Sequence, residues 1–190
     1  MAGPLTSGPK TSGPLTPGPK PTLRADLSVI LAPRNGLVIC GVMSTVLLGA
    51  AFLFEYVGGM PPCSLCIWQR WAHVAVIGAA LIGTIMLPAR IGLLLVAAAA
   101  LTSFGVAGYH AGVEWTLWAG PAGCTANLGS AASSADLVDQ LLATPVVRCD
   151  DVPWSLFGLS MAGWNALLSL DITAVAILAF IFGGRIARQT

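Results

Sequence analysis

Five residues of this 190-residue chain carry a thiol: Cys40, Cys63, Cys66, Cys124 and Cys149. Cys63 and Cys66 enclose Ser64-Leu65 in a Cys-X-X-Cys motif. That spacing puts both sulfurs within reach of one tight disulfide and often lowers one thiol's pKa, so it points to redox exchange rather than to a staple. Pro61-Pro62 stops any preceding helix, and the apolar run beyond the motif starts near Ile67. The second cysteine therefore falls close to a helix N-terminus, whose dipole and free N–H groups stabilise a thiolate. Arg70 follows four residues later, one turn deeper on the same face. A cation there can stabilise negative charge on sulfur or on an acceptor that the dithiol reduces. A charged Arg costs roughly 2.5–3.5 kcal/mol at a bilayer centre and less near an interface, so its position alone demands no function.

Cys124 and Cys149 lie 25 residues apart. Between them, Leu137, Val138, Leu141 and Leu142 alternate with Asp136, Asp139 and Gln140 in the pattern of a short amphipathic helix resting on a membrane surface. Two inert disulfides are one alternative for these four cysteines. A structural zinc is another, but it uses two closely spaced pairs and fits the 25-residue gap badly. Four cysteines allow three pairings. Cys40 falls in an apolar stretch and is expected to be a small buried hydrophobe.

The elements that must position these thiols are set by composition. The chain is 56% hydrophobic and 9% charged, against about 25% charged in an ordinary soluble domain. Between Gly36 and His110 the only formal charges are Glu55, Arg70 and Arg90. A soluble globular enzyme is excluded, and lipid must be the solvent for most of the chain. A net charge of +1, with scattered basic residues, gives no sign of a nucleic-acid partner. Four apolar stretches, about 37–57, 67–87, 91–109 and 157–182, are each long enough to cross about 30 Å of hydrocarbon as helix. The expected fold is an all-α bundle of four transmembrane helices with a short periplasmic amphipathic helix.

Lys10, Lys20, Arg24, Arg34, Arg90, Arg185 and Arg188 fall on one side of such a bundle; Arg148 falls on the other, with Arg70 near a helix end. The excess of positive charge places both termini in the cytoplasm and the two cysteine-bearing loops outside. The outer side of a bacterial plasma membrane is oxidising, which suits paired cysteines. Residues 1–34 are expected to be a disordered cytoplasmic tail, 35–184 the membrane domain, and 185–190 a cytoplasmic C-terminus. AGPLTSGPK at Ala2–Lys10 and SGPLTPGPK at Ser12–Lys20 agree at seven of nine positions, a local duplication too polar to form a core. Apolar residues come too late for a cleavable signal peptide.

Other residues have bland readings. His110 and Glu114 share a helical face if span three continues, as an interfacial hydrogen bond or, less simply, a proton relay. His73 is expected to pack as a neutral histidine. Glu55 can reach the headgroups, and Trp115, Trp118 and Trp154 suit an interfacial aromatic belt. Asp171 falls mid-span, where it needs protonation or a partner such as Asn165.

PCSLCIWQR, the second cysteine pair and WSLFGLSMAGWN at the opening of span four together resemble the bacterial disulfide bond formation protein B (DsbB) family, over about residues 36–184. Tyr109 to Cys124, YHAGVEWTLWAGPAGC, resembles a branch of that family with an HxGxE-type segment. The resemblance implies a membrane thiol oxidase. It would reoxidise a periplasmic DsbA-like thioredoxin-fold protein and pass two electrons to ubiquinone or menaquinone. By family position Cys124 would form the mixed disulfide with the partner, Cys149 would exchange with Cys63, and Cys66 would face the quinone beside Arg70. The favoured resting pairs are Cys63–Cys66 and Cys124–Cys149. Two rivals remain: a vitamin K epoxide reductase-like protein, whose Cys-X-X-Cys is expected near the last span, and a non-enzymatic membrane protein with structural disulfides.

Overall fold

A computed structural model describes residues 31–121, 124, 133–143 and 147–186. Residues 1–30 of the arm expected at 1–34, and the last four residues, lie outside the described residues. Four helices are long and apolar enough to cross a bilayer: α1 (Pro33–Tyr56), α2 (Ser64–Ile85), α3 (Ala89–Glu114) and α5 (Met161–Ile186). This is a multi-pass membrane bundle. A ten-residue helix, α4 (Ser134–Ala143), lies in the long connection between α3 and α5. Its Val138 and Leu142 are exposed, leaving apolar surface uncovered. The side chains of Leu137 and Leu141 lie outside the described residues.

The helix ends differ from the apolar runs for local reasons. Helix α1 starts inside the stretch expected to be tail, because Pro33 is pre-set for the first helical turn. It stops before Gly58-Gly59, where Gly59 takes a φ of 65°. Helix α2 starts at Ser64 rather than near Ile67, since the Cys63 side chain caps it. Helix α3 runs past Tyr109 to Glu114 and so carries His110 and Glu114 on adjacent turns. The last span starts at Met161, not Phe157. Phe157 and Gly158 both take positive φ, 54° and 79°, and form the two-residue turn of a hairpin between β1 (Ser155–Leu156) and β2 (Leu159–Ser160).

Helix α3 is central and packs most extensively against α2 and α5. The half of the bundle nearer the Arg90 turn is apolar: Leu37, Val76, Leu93, Val96 and Ile172 are fully buried together with Ala176 and Ala179. Val38, Val42 and Val46 face outward on α1, as do Leu94 and Leu101 on α3. That outward apolar surface suits lipid and would be costly in water. A second cluster closes the opposite end, and it is built of sulfur: Cys63, Cys124 and Cys149 packed with Leu65 and Val113.

Helices α2 and α3 touch backbone to backbone at Gly83 and Gly92. A Cβ on Gly92 would lie 2.6 Å from the Gly83 Cα. Enlarging Gly92 must push the helices apart, so Gly92→Val should destabilise the bundle by ~1–3 kcal/mol. Gly78 has open space around its missing Cβ, and Gly78→Ala should be neutral or stabilising by roughly 0.5–1 kcal/mol. Unfolding in mixed micelles at rising denaturing-detergent concentration measures both. Equal effects of the two would contradict the close approach.

Candidate active site

The site begins with a helix cap. Cys63 is the residue before α2, and its sulfur accepts the Cys66 backbone N–H at 3.3 Å. Its extended backbone, with φ −75° and ψ 172°, is that of an N-cap. The Cys66 sulfur lies 3.1 Å from the Cys63 sulfur, within hydrogen-bond reach, and both are free thiols in this structure. The second resting disulfide expected from the family resemblance is therefore open here. Cys63, not Cys66, occupies the position that stabilises an anion. A hydrogen bond from the Cys66 thiol holds the Cys63 thiol well below its ordinary pKa. Burial opposes this, while the contact with His110 and the Cys66 backbone N–H add to it. Cys66 lies in the first turn of α2, close to the helix N-terminus as its position in the sequence predicts, and because α2 starts one turn earlier than its apolar run Cys63 takes the cap itself.

The second pair is brought over the first. Cys124 and Cys149 form a disulfide with Cα atoms 5.4 Å apart, and the Cys149 N–H donates to the Cys124 carbonyl at 2.9 Å. The Cys149 sulfur, the Cys63 sulfur and a His110 ring nitrogen all lie within 4.8 Å of one another. Cys149 is fully buried and Cys63 is 5% exposed. The hairpin that follows ties this loop to the bundle. Ser160 donates to the Glu114 carboxylate and accepts the Gly163 N–H at 3.1 Å, capping α5. Arg148, beside Cys149, is paired with Asp150.

His110 points inward, with Nε2 3.6 Å from the Cys63 sulfur and Nδ1 2.8 Å from the Gln69 side-chain nitrogen. Glu114 is farther off, 3.9 Å from Nε2. The pair expected as a simple interfacial hydrogen bond is thus divided, with His110 turned to sulfur and Glu114 to Ser160.

Beneath the thiols lies a cavity of about 330 Å³. Leu47, Leu48, Ala51 and Leu168 give it apolar walls, and Cys66 and Arg70 sit on its lining. Arg70 is held there. It pairs with Glu55, donates to the Ala51 carbonyl at 3.2 Å, and lies 4.9 Å over the Phe52 ring. Glu55 therefore does not reach for the headgroups. Trp154 packs against Phe54, with ring centroids 5.2 Å apart, and also lines the cavity. Trp115 and Trp118 are exposed, as belt residues are. Asn165 is not the partner of Asp171: it bonds His73 and Gln69, while Asp171 lies on an exposed face of α5.

Sequence reasoning passed over Gln69 and Ser160, and it offered Asn165 only as a partner for Asp171. The signal was present, since an amide inside an apolar span must find a partner within the protein.

Two cysteine pairs packed together at one end of a transmembrane bundle, above an apolar cavity, define a membrane disulfide oxidoreductase. The chain belongs to the DsbB family: the sequence profile "Disulfide bond formation protein DsbB" matches residues 33–179. Among relatives, the disulfide bond formation protein B of Methylococcus capsulatus is 34% identical over 141 residues, covering 70% of this chain and 84% of that protein. That of Aromatoleum aromaticum is 33% identical over 146 residues, covering 71% and 84%. That of Verminephrobacter eiseniae is 31% identical over 173 residues, covering 83% and 91%. The family is one of membrane thiol oxidases, which sets aside both the vitamin K epoxide reductase-like reading and the non-enzymatic one.

The depressed Cys63 thiol makes a pH prediction. A lowered pKa keeps the thiolate present above that value and loses it only as pH falls through it. In the reduced protein, thiolate ultraviolet absorbance that disappears in Cys63→Ser should persist to below pH 7. His110→Leu should move its midpoint upward by about one unit, since a hydrogen bond to the charged form is removed. A midpoint near the ordinary thiol value of about 8.5 in the wild-type protein would contradict the geometry.

Proposed function

We propose that the four cysteines carry electrons from a DsbA-like thioredoxin-fold protein, on the outer side of a bacterial plasma membrane, to quinone in the bilayer. In this reading both termini are cytoplasmic, and the seven basic residues on the side of the termini and the Arg90 turn support it. The observation that carries the proposal is the approach of the Cys63 and Cys149 sulfurs, within 4.8 Å beside His110.

The exchange steps follow from thiol–disulfide chemistry. A thiolate of the reduced partner attacks the Cys124 sulfur; the Cys124–Cys149 bond breaks and Cys149 leaves as thiolate. The partner's second thiolate attacks its own sulfur in the mixed disulfide and releases Cys124. The partner is then oxidised, and the Cys124–Cys149 pair is reduced by two electrons. With Cys63–Cys66 in its disulfide form, Cys149 attacks Cys63 and Cys66 leaves. Cys124 then attacks Cys149, restoring its own disulfide and releasing Cys63. The electrons now reside on Cys63 and Cys66 as a thiolate and a thiol. The cap on α2 and the His110 contact stabilise that reduced form, which makes the pair a good acceptor.

The cavity suits a quinone. Its volume is near the lower end of the roughly 300–1,000 Å³ of small-molecule pockets, and its lining is apolar with a few convergent polar groups. Arg70 and Cys66 are the residues that would meet the headgroup. Held there, a quinone would supply the two-electron acceptor as the Cys63–Cys66 thiolate and thiol close to a disulfide, with one proton coming from the pair and the second from water. Arg70, fixed by Glu55 and Ala51, supplies positive charge where negative charge develops.

The test is turnover in membranes given reduced DsbA-like protein and added quinone. Cys63→Ser and Cys66→Ser should each lower reoxidation of the partner at least ~100-fold, since each removes a nucleophile or leaving group from the chain. Unchanged turnover in either would eliminate the mechanism.

A further inference from the structure

Buried and half-buried polar side chains run end to end from the middle of the bundle to Cys63. The Ser44 hydroxyl of α1 lies 3.2 Å from His73 Nδ1. His73 Nε2 lies 2.8 Å from Asn165 Oδ1 on α5. Asn165 Nδ2 donates to Gln69 Oε1 at 2.6 Å. Gln69 Nε2 lies 2.8 Å from His110 Nδ1 on α3, and His110 Nε2 faces the Cys63 sulfur at 3.6 Å. Every membrane-spanning helix contributes a link. Ser44, Gln69, His73 and His110 are all at least nine-tenths buried.

The run has a direction. An amide or a neutral imidazole donates at one atom and accepts at another, so one bond dictates the next. The Cys63 thiolate can only accept. A neutral His110 then carries its proton on Nε2 and accepts at Nδ1. The Gln69 amide nitrogen donates there, leaving Oε1 to accept from Asn165. Asn165 Oδ1 in turn accepts from His73 Nε2, which also lies 3.4 Å from the Ser103 hydroxyl, and Ser169 gives its hydroxyl proton to Ser103 at 3.0 Å. His73 Nδ1 is left to accept from Ser44. All five donors point toward the sulfur.

We propose that His73 and Asn165 are positioning residues for Cys63: acting through Gln69, they fix the His110 proton on Nε2, aimed at the reactive sulfur. The proposal rests on Cys63 being an exchanging cysteine. A merely structural tie would not need this continuity, because well-packed apolar side chains of similar volume hold a bundle as well or better. Aligned hydrogen bonds polarise one another, so a link two turns down α2 still strengthens the last donor. The other titratable or charged groups around Cys63 are Cys66 and Arg70 of α2, Glu114 of α3, and Cys149 of the connection between α3 and α5. Arg70 is engaged by Glu55, Glu114 by Ser160, and Cys149 by its disulfide. The only bonding partner on His110 Nδ1 among the described side chains is Gln69.

The chain has two histidines, so nitrogen NMR of ¹⁵N-histidine-labelled protein in micelles resolves them, with His73→Leu making the assignment. In the reduced wild-type protein His110 should be the Nε2–H tautomer. Asn165→Leu and His73→Leu should convert it to a mixture of tautomers and raise the Cys63 thiolate midpoint by about one unit, a tenfold loss of thiolate below that midpoint. His73→Gln, whose amide can accept from Ser44 and donate to Asn165, should preserve both. A proton on Nδ1 in the wild-type protein, or a tautomer and midpoint that Asn165→Leu leaves in place, would overturn the relay. Should Asn165→Leu fail to fold, the contrast of His73→Leu with His73→Gln decides, and equal readouts from those two overturn it. An ordinary wild-type midpoint would instead overturn the reading of Cys63 itself.

Discussion

In a protein surrounded by hydrocarbon, a polar atom turned inward has no water to fall back on and must bond to another atom of the chain. Much of this structure follows from that constraint. Among the described residues, every fully buried side-chain nitrogen or oxygen has a partner. The partners come from different helices, so satisfying one atom fixes the rotation of two helices at once. Ser44, His73, Ser103, Asn165 and Ser169 show this: their bonds join all four membrane-spanning helices above an inner core of Leu, Val, Ile and Ala. The same constraint holds Arg70 against Glu55 and Glu114 against Ser160.

The constraint also shapes the sulfur chemistry. Cys63, Cys124 and Cys149 are almost entirely screened from solvent. A thiolate there cannot be stabilised by bulk water, so fixed donors take over: the Cys66 backbone N–H, the Cys66 thiol and His110. Fixed donors in a low-dielectric setting act more strongly than they would in water. Burial in addition keeps stray thiols away from the exchanging bonds. The connection between α3 and α5 therefore does two jobs, carrying one cysteine pair and covering the other.

Much of this was legible in the sequence because the strongest signals there are compositional. Four long apolar runs can be little other than spans, and a Cys-X-X-Cys beside Pro-Pro marks a helix start. The pairing of Cys124 with Cys149 fitted the grouping of cysteines by loop. What escaped was set by local geometry. The α2 start moved by one turn because a cysteine can cap a helix, and that gives the cap itself to Cys63. The α5 start moved because Phe157-Gly158 adopts a turn that hydropathy does not register. The Arg70–Glu55 pair spans two helices, and no spacing rule within one helix reports it. Gln69 and Asn165 were visible as amides in apolar runs, yet only the packed bundle shows that they face each other.

The proposed electron route depends on disulfide exchange between the two pairs where Cys63 meets Cys149. A double variant, Cys66→Ser with Cys124→Ser, leaves those two cysteines without their usual partners. After mild oxidation in membranes and proteolysis, mass spectrometry should find the Cys63 and Cys149 peptides joined by a disulfide in most of the protein. Two free thiols under conditions that oxidise a wild-type pair, or a bond from either cysteine to Cys40, would contradict it.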